Sequence, residues 1–320
     1  MNKKYLNFRT DMADERVDTY KRVHNLSDID GVEVKSDADE GIITTTVNVI
    51  NENGSQAVSK EIGKYITIEI QDINCLDEQQ QEKISTKISN EIRELVGCDK
   101  TSSVLVVGLG NIYVTPDALG PKVVQNVEIT RHILNFAKEF AQPGTRSVSA
   151  IAPGVLGTTG IETSEIVTSI ARDVNADIIV VIDSLASQSM HRVGNTIQLS
   201  NTGITPGAGV GNKRDGINQE NLGVPVIAIG VPTVVDMATI TNEAIDKMID
   251  SAKSQVSEFS NSSTLDISKA FESLEEDTRY DMISNILNTE NYIVTPKEID
   301  EVIQTISKMI SSGVNMALQG

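Results

Sequence analysis

Apolar positions fall along this chain in three kinds of run. Lys64–Ile70 alternates, with Ile66, Ile68 and Ile70 on one side and Thr67 and Glu69 on the other, as a half-buried strand does. Gly41–Ile50 is rich in Thr, Val and Ile, and Asn53-Gly54 between the two runs is a turn signal. An antiparallel hairpin or small sheet is expected there. Asp77–Val96 places Ile84, Ile88, Ile92, Leu95 and Val96 at helical spacing, with Gly97 positioned to end the helix. Val104–Val107, Val148–Ile151, Ile178–Ile182 and Val226–Ile229 are short and wholly apolar, the signature of strands buried on both faces. Helical patterns such as Ile166, Val167, Ile170 and Val174 separate most of them. This alternation predicts an α/β fold: a three-layer sandwich with a central, mostly parallel sheet, an N-terminal β-rich portion and a C-terminal helical tail.

The expected bounds are about 29–72 for the β-rich portion, 77–258 for the core and 264–320 for the tail. Residues 1–40 are polar, with a charge-dense stretch from Asp11 to Asp18. Ser251–Ser263 reads as a helix end and linker. In the tail, Thr295 is the expected N-cap, Pro296 the first helical residue and Glu298 the partner in a capping box. Ile299, Val302, Ile303, Ile306, Met309 and Ile310 follow at helical spacing, and Gly313 is expected to end that helix.

Charge narrows the function. The 320 residues carry 27 Lys and Arg against 45 Asp and Glu, a net charge of −18, which argues against a nucleic-acid binder built on a basic surface. Aromatics make up 3% and Trp is absent, so the core is aliphatic and a base-stacking platform is not expected. No run has the length of a membrane span or a signal peptide, so a cytoplasmic location without membrane contact is expected. Cys75 and Cys98 fit neither a disulfide framework nor a zinc pattern and read as reduced thiols.

Two acids stand out. In Val107-Gly108-Leu109-Gly110-Asn111-Ile112-Tyr113-Val114-Thr115-Pro116-Asp117, a strand enters a Gly-rich turn whose dinucleotide fingerprint is broken by Tyr113. Thr115 and Pro116 resemble an N-cap and a first helical residue, which would put Asp117 in the first turn near the positive end of the helix. Asp183 follows five apolar residues at the carboxyl end of a buried strand, where open α/β sheets place ligands. Each acid alone is equally well read as a helix cap. Should they converge, they form a carboxylate pair sharing one proton, one acting as base toward water and the other polarising a carbonyl.

Two further Gly-rich loops, one with Gly154 and Gly157 and one with Gly207, Gly209, Lys213 and Arg214, could approach a ligand through backbone N–H groups or serve as plain turns. Of the histidines, His132 reads as structural, and His191, eight residues past Asp183, could reach the site. There is no metal-binding His spacing and no serine-hydrolase elbow.

The stretches Val107–Pro121, Ala152–Gly160, Ile182–Arg214 and Tyr292–Leu318 resemble the spore germination proteases of endospore-forming bacteria, and the similarity starts at Arg9-Thr10-Asp11-Met12-Ala13. The core is more distantly similar to hydrogenase-maturation endopeptidases, which share a Gly-Leu-Gly-Asn turn followed by an acid at a helix start. The resemblance implies an atypical aspartic endopeptidase that degrades small acid-soluble spore proteins during germination in the spore. It implies a homotetramer made in the forespore as a self-processing precursor, with Asp117 and Asp183 at the positions of the catalytic carboxylates. It also places the self-cut between Asp11 and Met12, leaving residues 1–11 as propeptide and 12–320 as a single α/β peptidase domain. In residues 1–11, Lys3, Lys4 and Arg9 stand against Asp11, and this basic segment is expected to restrain a channel in the acidic body. No cofactor or metal is expected. Three alternatives stay open: a metal-dependent peptidase with Asp117, Asp183 and His191 as ligands, a nucleotide- or phosphate-binding module, and a scaffold that binds the spore proteins without cutting.

Overall fold

The structure is a computed structural model that describes residues 10–97, 101–205, 215–256, 274, 276–287 and 292–319. Among these, nine strands form one mixed sheet: β1 (Val32–Asp39), β2 (Ile42–Val49), β3 (Gly63–Ile70), β4 (Val104–Gly108), β5 (Val148–Ile151), β6 (Ile178–Ser187), β7 (Thr196–Ser200), β8 (Val226–Asp236) and β9 (Ile293–Val294). The order is β1-β2-β3-β7-β8-β6-β4-β5, with β9 on the far end of β8. The α/β sandwich stands as expected, and β8, β6, β4 and β5 run parallel. The rest pairs antiparallel, because β7 turns back against β8 and joins the N-terminal strands to the same sheet.

Alternation along the strands assigns the two faces. Val104, Val106, Ile178, Val180, Ile66, Ile68, Ile197 and Leu199 point into one aliphatic core beneath helices Glu78–Val96 and Ile299–Gln319. Leu105, Val107, Ile179 and Val181 point the other way, against helix Thr163–Asp173. At the antiparallel end, that second face carries a separate cluster of Val47, Val49 and Tyr65 under helix Ala13–His24. Between these two clusters the face is polar, and a cavity opens there.

Several local expectations hold. Asp77 caps Glu78–Val96 through a full capping box with Gln80, and Gly97 ends it in the left-handed conformation. Others are corrected. Asn53 and Gly54 lie in helix Glu52–Val58, because the Asn51 side chain accepts from the Gly54 N–H and caps a helix where a turn was expected. The polar stretch before residue 40 holds helix Ala13–His24 and the edge strand β1. β6 and β8 continue past the apolar runs to Ser187 and Asp236, since their pairing carries on through a bulge at Leu185/Ala186. Thr295 does not cap: its hydroxyl donates to Thr233 O, 2.8 Å away, tying the tail to β8. The helix starts at Ile299 and runs through Gly313 to Gln319. Gly313 is instead a contact point, where an added Cβ would lie 2.8 Å from both Ser85 O and Ile88 Cγ2. The linker expected over Ser251–Ser263 begins as the end of helix Met237–Val256, and its remainder lies outside the described residues.

Candidate active site

Asp183 is not at a strand end but inside β6, paired across the sheet with Gly230 of β8, which in turn faces Gln198 of β7. The three positions therefore form one row. Two strand spacings separate Asp183 from Gln198, about 10 Å, and between them Gly230 leaves room for the Leu185 side chain, whose Cδ1 would lie 2.3 Å from an added Cβ. The alternation Thr196, Gln198, Ser200 turns these side chains away from the Ile197 and Leu199 core and into the gap between the two apolar clusters.

That gap is an open cavity of about 550 Å³. Asp117, Asp183, Gly110, Gly154 and Asp11 all line it, so the structure brings the two singled-out acids together with the junction acid. Asp117 arrives by a route the sequence did not suggest. Thr115 is not a cap; Val114 precedes a three-residue 3-10 turn, Thr115–Asp117, and a separate helix runs from Leu119 to Val124. The Asp117 carboxylate folds back to accept the Asn111 N–H at 2.8 Å. Gly110 makes this possible: its φ is +109°, and a Cβ there would lie 2.1 Å from Asp117 O.

Asp183 is buried, and its carboxyl is held well above the usual carboxylate range. Desolvation is the main cause, the charge of Asp117 adds to it, and that of Asp11 adds further; the Ser184 N–H, 2.8 Å from Oδ1, opposes them. The hydroxyls of Ser184 and Thr233 also line the cavity, and neither side chain oxygen has a protein partner among the described residues.

Asp11, next to Met12, lines this cavity and pairs with β6 as a bound strand would. Asp11 N–H donates to Ala186 O at 2.8 Å, and Ala186 N–H donates to Asp11 Oδ2 at 2.9 Å. The Asp11 carbonyl oxygen accepts from Lys60 Nζ at 2.6 Å and from Gln198 Nε2 at 3.1 Å. Gln198 Oε1 accepts from Ala13 N–H at 2.7 Å. Met12 itself is fully buried. The following helix is anchored by Arg192, whose guanidinium lies 2.7 Å from Asp14, 3.7 Å from Glu15 and 3.5 Å from Glu69. Glu15 also accepts from Gln188 N–H at 2.7 Å and from the Thr10 hydroxyl.

Other expected site residues fall elsewhere. Gly157 sits exposed in the short helix Leu156–Thr159, outside the cavity lining. His191 is in the turn Met190–Arg192, also outside that lining, because the turn carries the chain away from β6 toward β7. Among the described residues no group of three or more His, Cys, Asp or Glu stands together to hold a metal ion. Gly207, Gly209, Lys213 and Arg214, like Cys98 and the basic residues Lys3, Lys4 and Arg9, lie outside the described residues. Lys60, Gln198 and Arg192 were not singled out by sequence reasoning. Gln198 did leave a signal, a long polar side chain between two apolar ones in Thr196-Ile197-Gln198-Leu199-Ser200; Lys60, between Ser59 and Glu61, left none.

A family model described as Germination protease matches residues 9–270. The germination protease of Clostridium tetani is 46% identical over 316 residues, covering 98% of this chain and 96% of its own length. That of Caldanaerobacter subterraneus is 45% identical with 98% and 95% covered, and that of Bacillus cereus 40% identical with 97% and 93% covered. Among solved structures, a [NiFe] hydrogenase maturation protease HycI from Thermococcus kodakarensis is similar at 17% identity and a TM-score of 0.31, covering 45% of this chain and 80% of that one, a likeness too slight to bear on the site.

Proposed function

This chain belongs to the germination protease family, an endopeptidase family, and from that premise we propose that it cuts proteins by water attack at an Asp117/Asp183 pair and first cuts itself between Asp11 and Met12. The single observation that supports this reading is that Asp11 lines the same cavity as both carboxylates, with its carbonyl already held by two donors. Asp183, with its raised affinity for a proton, is the member that holds the shared proton more strongly, and Asp117 is the member that takes the proton of the attacking water. That proton then passes to the Met12 nitrogen as the C–N bond breaks, so one water is consumed and a carboxylate and an amine are released.

The substrates fitting this reading are the small acid-soluble spore proteins of the family resemblance, cut after an acidic residue within the spore. The pocket around the Asp11 side chain, built on the Ala186 N–H, supports preference for an acid at that position. Residues 1–11 then act as a propeptide, residues 12–320 as the peptidase domain, and the active unit as a homotetramer.

The test is intact mass over time at mildly acidic pH with a chelator present, beside an Asp183→Asn variant. Loss of residues 1–11 from the parent alone supports the reading. Persistence of the full mass, restored to cutting by added divalent metal, would favour a metal-dependent peptidase instead.

A further inference from the structure

We propose that Lys60 and Gln198 are catalytic residues: together they form the oxyanion site for the bond being cut, with Lys60 Nζ and Gln198 Nε2 converging on the carbonyl oxygen of Asp11. The inference rests on the reading that Asp11–Met12 is the self-cut bond and adds to it the groups that take the developing charge.

The chemistry of the contacts leads there. A carbonyl oxygen accepts and an N–H donates, so the Gln198 amide has only one orientation that serves both Asp11 O at 3.1 Å and Ala13 N–H at 2.7 Å. One planar side chain therefore grips the residue on each side of Met12 and fixes the Asp11–Met12 peptide unit. Lys60 adds a cation at 2.6 Å, the range of a charge-assisted bond. Two donors on one carbonyl, one of them charged, exceed what anchoring a strand requires; β3 and β7 hold their neighbours with single backbone bonds.

The cation is also costly where it stands. The ammonium end of Lys60 is enclosed, and desolvation brings its pKa from the ordinary lysine value down to about 8, with Asp11, Asp14 and Glu15 partly opposing the fall and Arg16 adding to it. A lysine kept charged in such a place gains most when a full negative charge forms beside it, and an oxyanion is that charge. Its position is set locally. Val58 is buried at the end of helix Glu52–Val58, Ser59 turns the chain in the left-handed conformation, and Lys60 emerges over the Tyr65 ring at 5.7 Å.

The step balances without further reagents. Water oxygen bonds to the Asp11 carbonyl carbon while its proton goes to the carboxylate pair. The carbonyl electron pair moves to the oxygen, where Lys60 and Gln198 hold it. When the pair returns, the bond to Met12 nitrogen breaks and the nitrogen takes the proton. With the carbonyl oxygen held by these two groups, the carboxylate pair is free to serve the water and the leaving nitrogen.

The test uses the full chain and reads two things: the rate of self-cutting by intact mass, and hydrogen-exchange protection of Asp11, Met12 and Ala13 N–H groups before cutting. Lys60→Met removes one donor. Gln198→Glu removes the other but keeps an acceptor for Ala13 N–H, and Lys60→Arg retains a cation. Loss of one oxyanion donor slows such reactions about 10²- to 10³-fold. We expect that loss for Lys60→Met and Gln198→Glu, partial recovery for Lys60→Arg, and, in the Lys60 variants, unchanged protection of the junction. Two results overturn the inference while leaving the self-cutting reading intact: variants that cut at the parental rate, or Lys60 variants that lose protection and cutting in proportion, which would make the contact a mere tether. A parent that never cuts at Asp11–Met12 instead overturns the proposed function, and this inference with it.

Discussion

Replacing Arg192 with Met should loosen the whole N-terminal segment, and the structure sets the scale. Arg192 faces Asp14 at 2.7 Å, with Glu15 and Glu69 within 3.7 Å, and the Asp14 and Glu15 side chains are each only 7% exposed. At 2.7 Å and an effective dielectric of about 20, the closest pair alone attracts by about 6 kcal/mol. Desolvation of the three ions returns much of that, so the cluster adds little net stability when intact. Removing the cation is different, because the carboxylates stay buried without their counter-charge, at a cost of about 3–5 kcal/mol. The cost falls locally on helix Ala13–His24, which docks through Ala13 and Val17. Acid should soften it. Burial already raises the Glu15 pKa, and losing Arg192, which lowers it, raises it further. The folded variant then binds that proton more tightly than the unfolded chain, so its stability falls as pH rises past the ordinary carboxylate value of about 4.3. The gap between parent and Arg192→Met should accordingly be wider at pH 7 than at pH 5. Urea unfolding at both pH values, with hydrogen exchange over residues 10–24, measures it. A gap below about 1 kcal/mol that ignores pH, with unchanged exchange, would refute the reasoning.

Four more outcomes are expected. Asp183→Asn should slow cutting by at least about 10²- to 10⁴-fold, as loss of an acid–base group does. It should also stabilise the fold increasingly from acid to neutral pH, because the raised Asp183 pKa makes ionisation cost the folded state; a stability difference flat with pH would contradict this. Self-cutting should decline as pH rises through about 8, where Lys60 gives up its proton, and a rate rising across that range would count against its role. Gly313→Ala, although it improves helix propensity, should destabilise by about 1–3 kcal/mol because its Cβ meets Ser85 O and Ile88 at 2.8 Å; a higher midpoint in denaturant would show that the two helices can part there.

What could be read from the sequence depended on the strength of local signals. The four apolar runs and the helix after Asp77 were legible because burial on both faces and helical spacing closed by a glycine each act within a few residues. The ends of β6 and β8 were not, since small and polar residues there are held by cross-strand pairing rather than by their own propensity. The antiparallel half was half-legible: β2 and β3 showed their pattern, but β1 is an exposed edge strand whose alternation, Val32, Val34 and Ala38, is short and broken by Ser36. In the site, Asp117 and Asp183 were visible as acids beside apolar strands. Lys60 and Gln198 act only through contact with a segment about 50 and 190 residues away, and no local pattern encodes such a meeting. The helix at Ala13–His24 was hidden for a related reason: two of its acids, Asp14 and Glu15, are buried against Arg192, so it does not read as amphipathic.

Should the proposed cut occur at this junction, the grip of Gln198 on both of its sides makes that cut hard to reverse. While the chain is continuous, Asp11 and Ala13 are presented to one amide at the high effective concentration that two intervening bonds impose. Once the bond opens, the two ends diffuse separately and each keeps a single contact with that amide. The leaving piece carries a new carboxylate, held by Lys60 and Gln198 but repelled by the acids nearby, and the staying piece carries a new ammonium where a peptide N–H had been buried. Re-ligation would need both ends to return together against that repulsion. Self-cutting in this cavity thus works as a ratchet: the arrangement that positions the bond is consumed by breaking it, and the cleft is left vacant for a chain in trans.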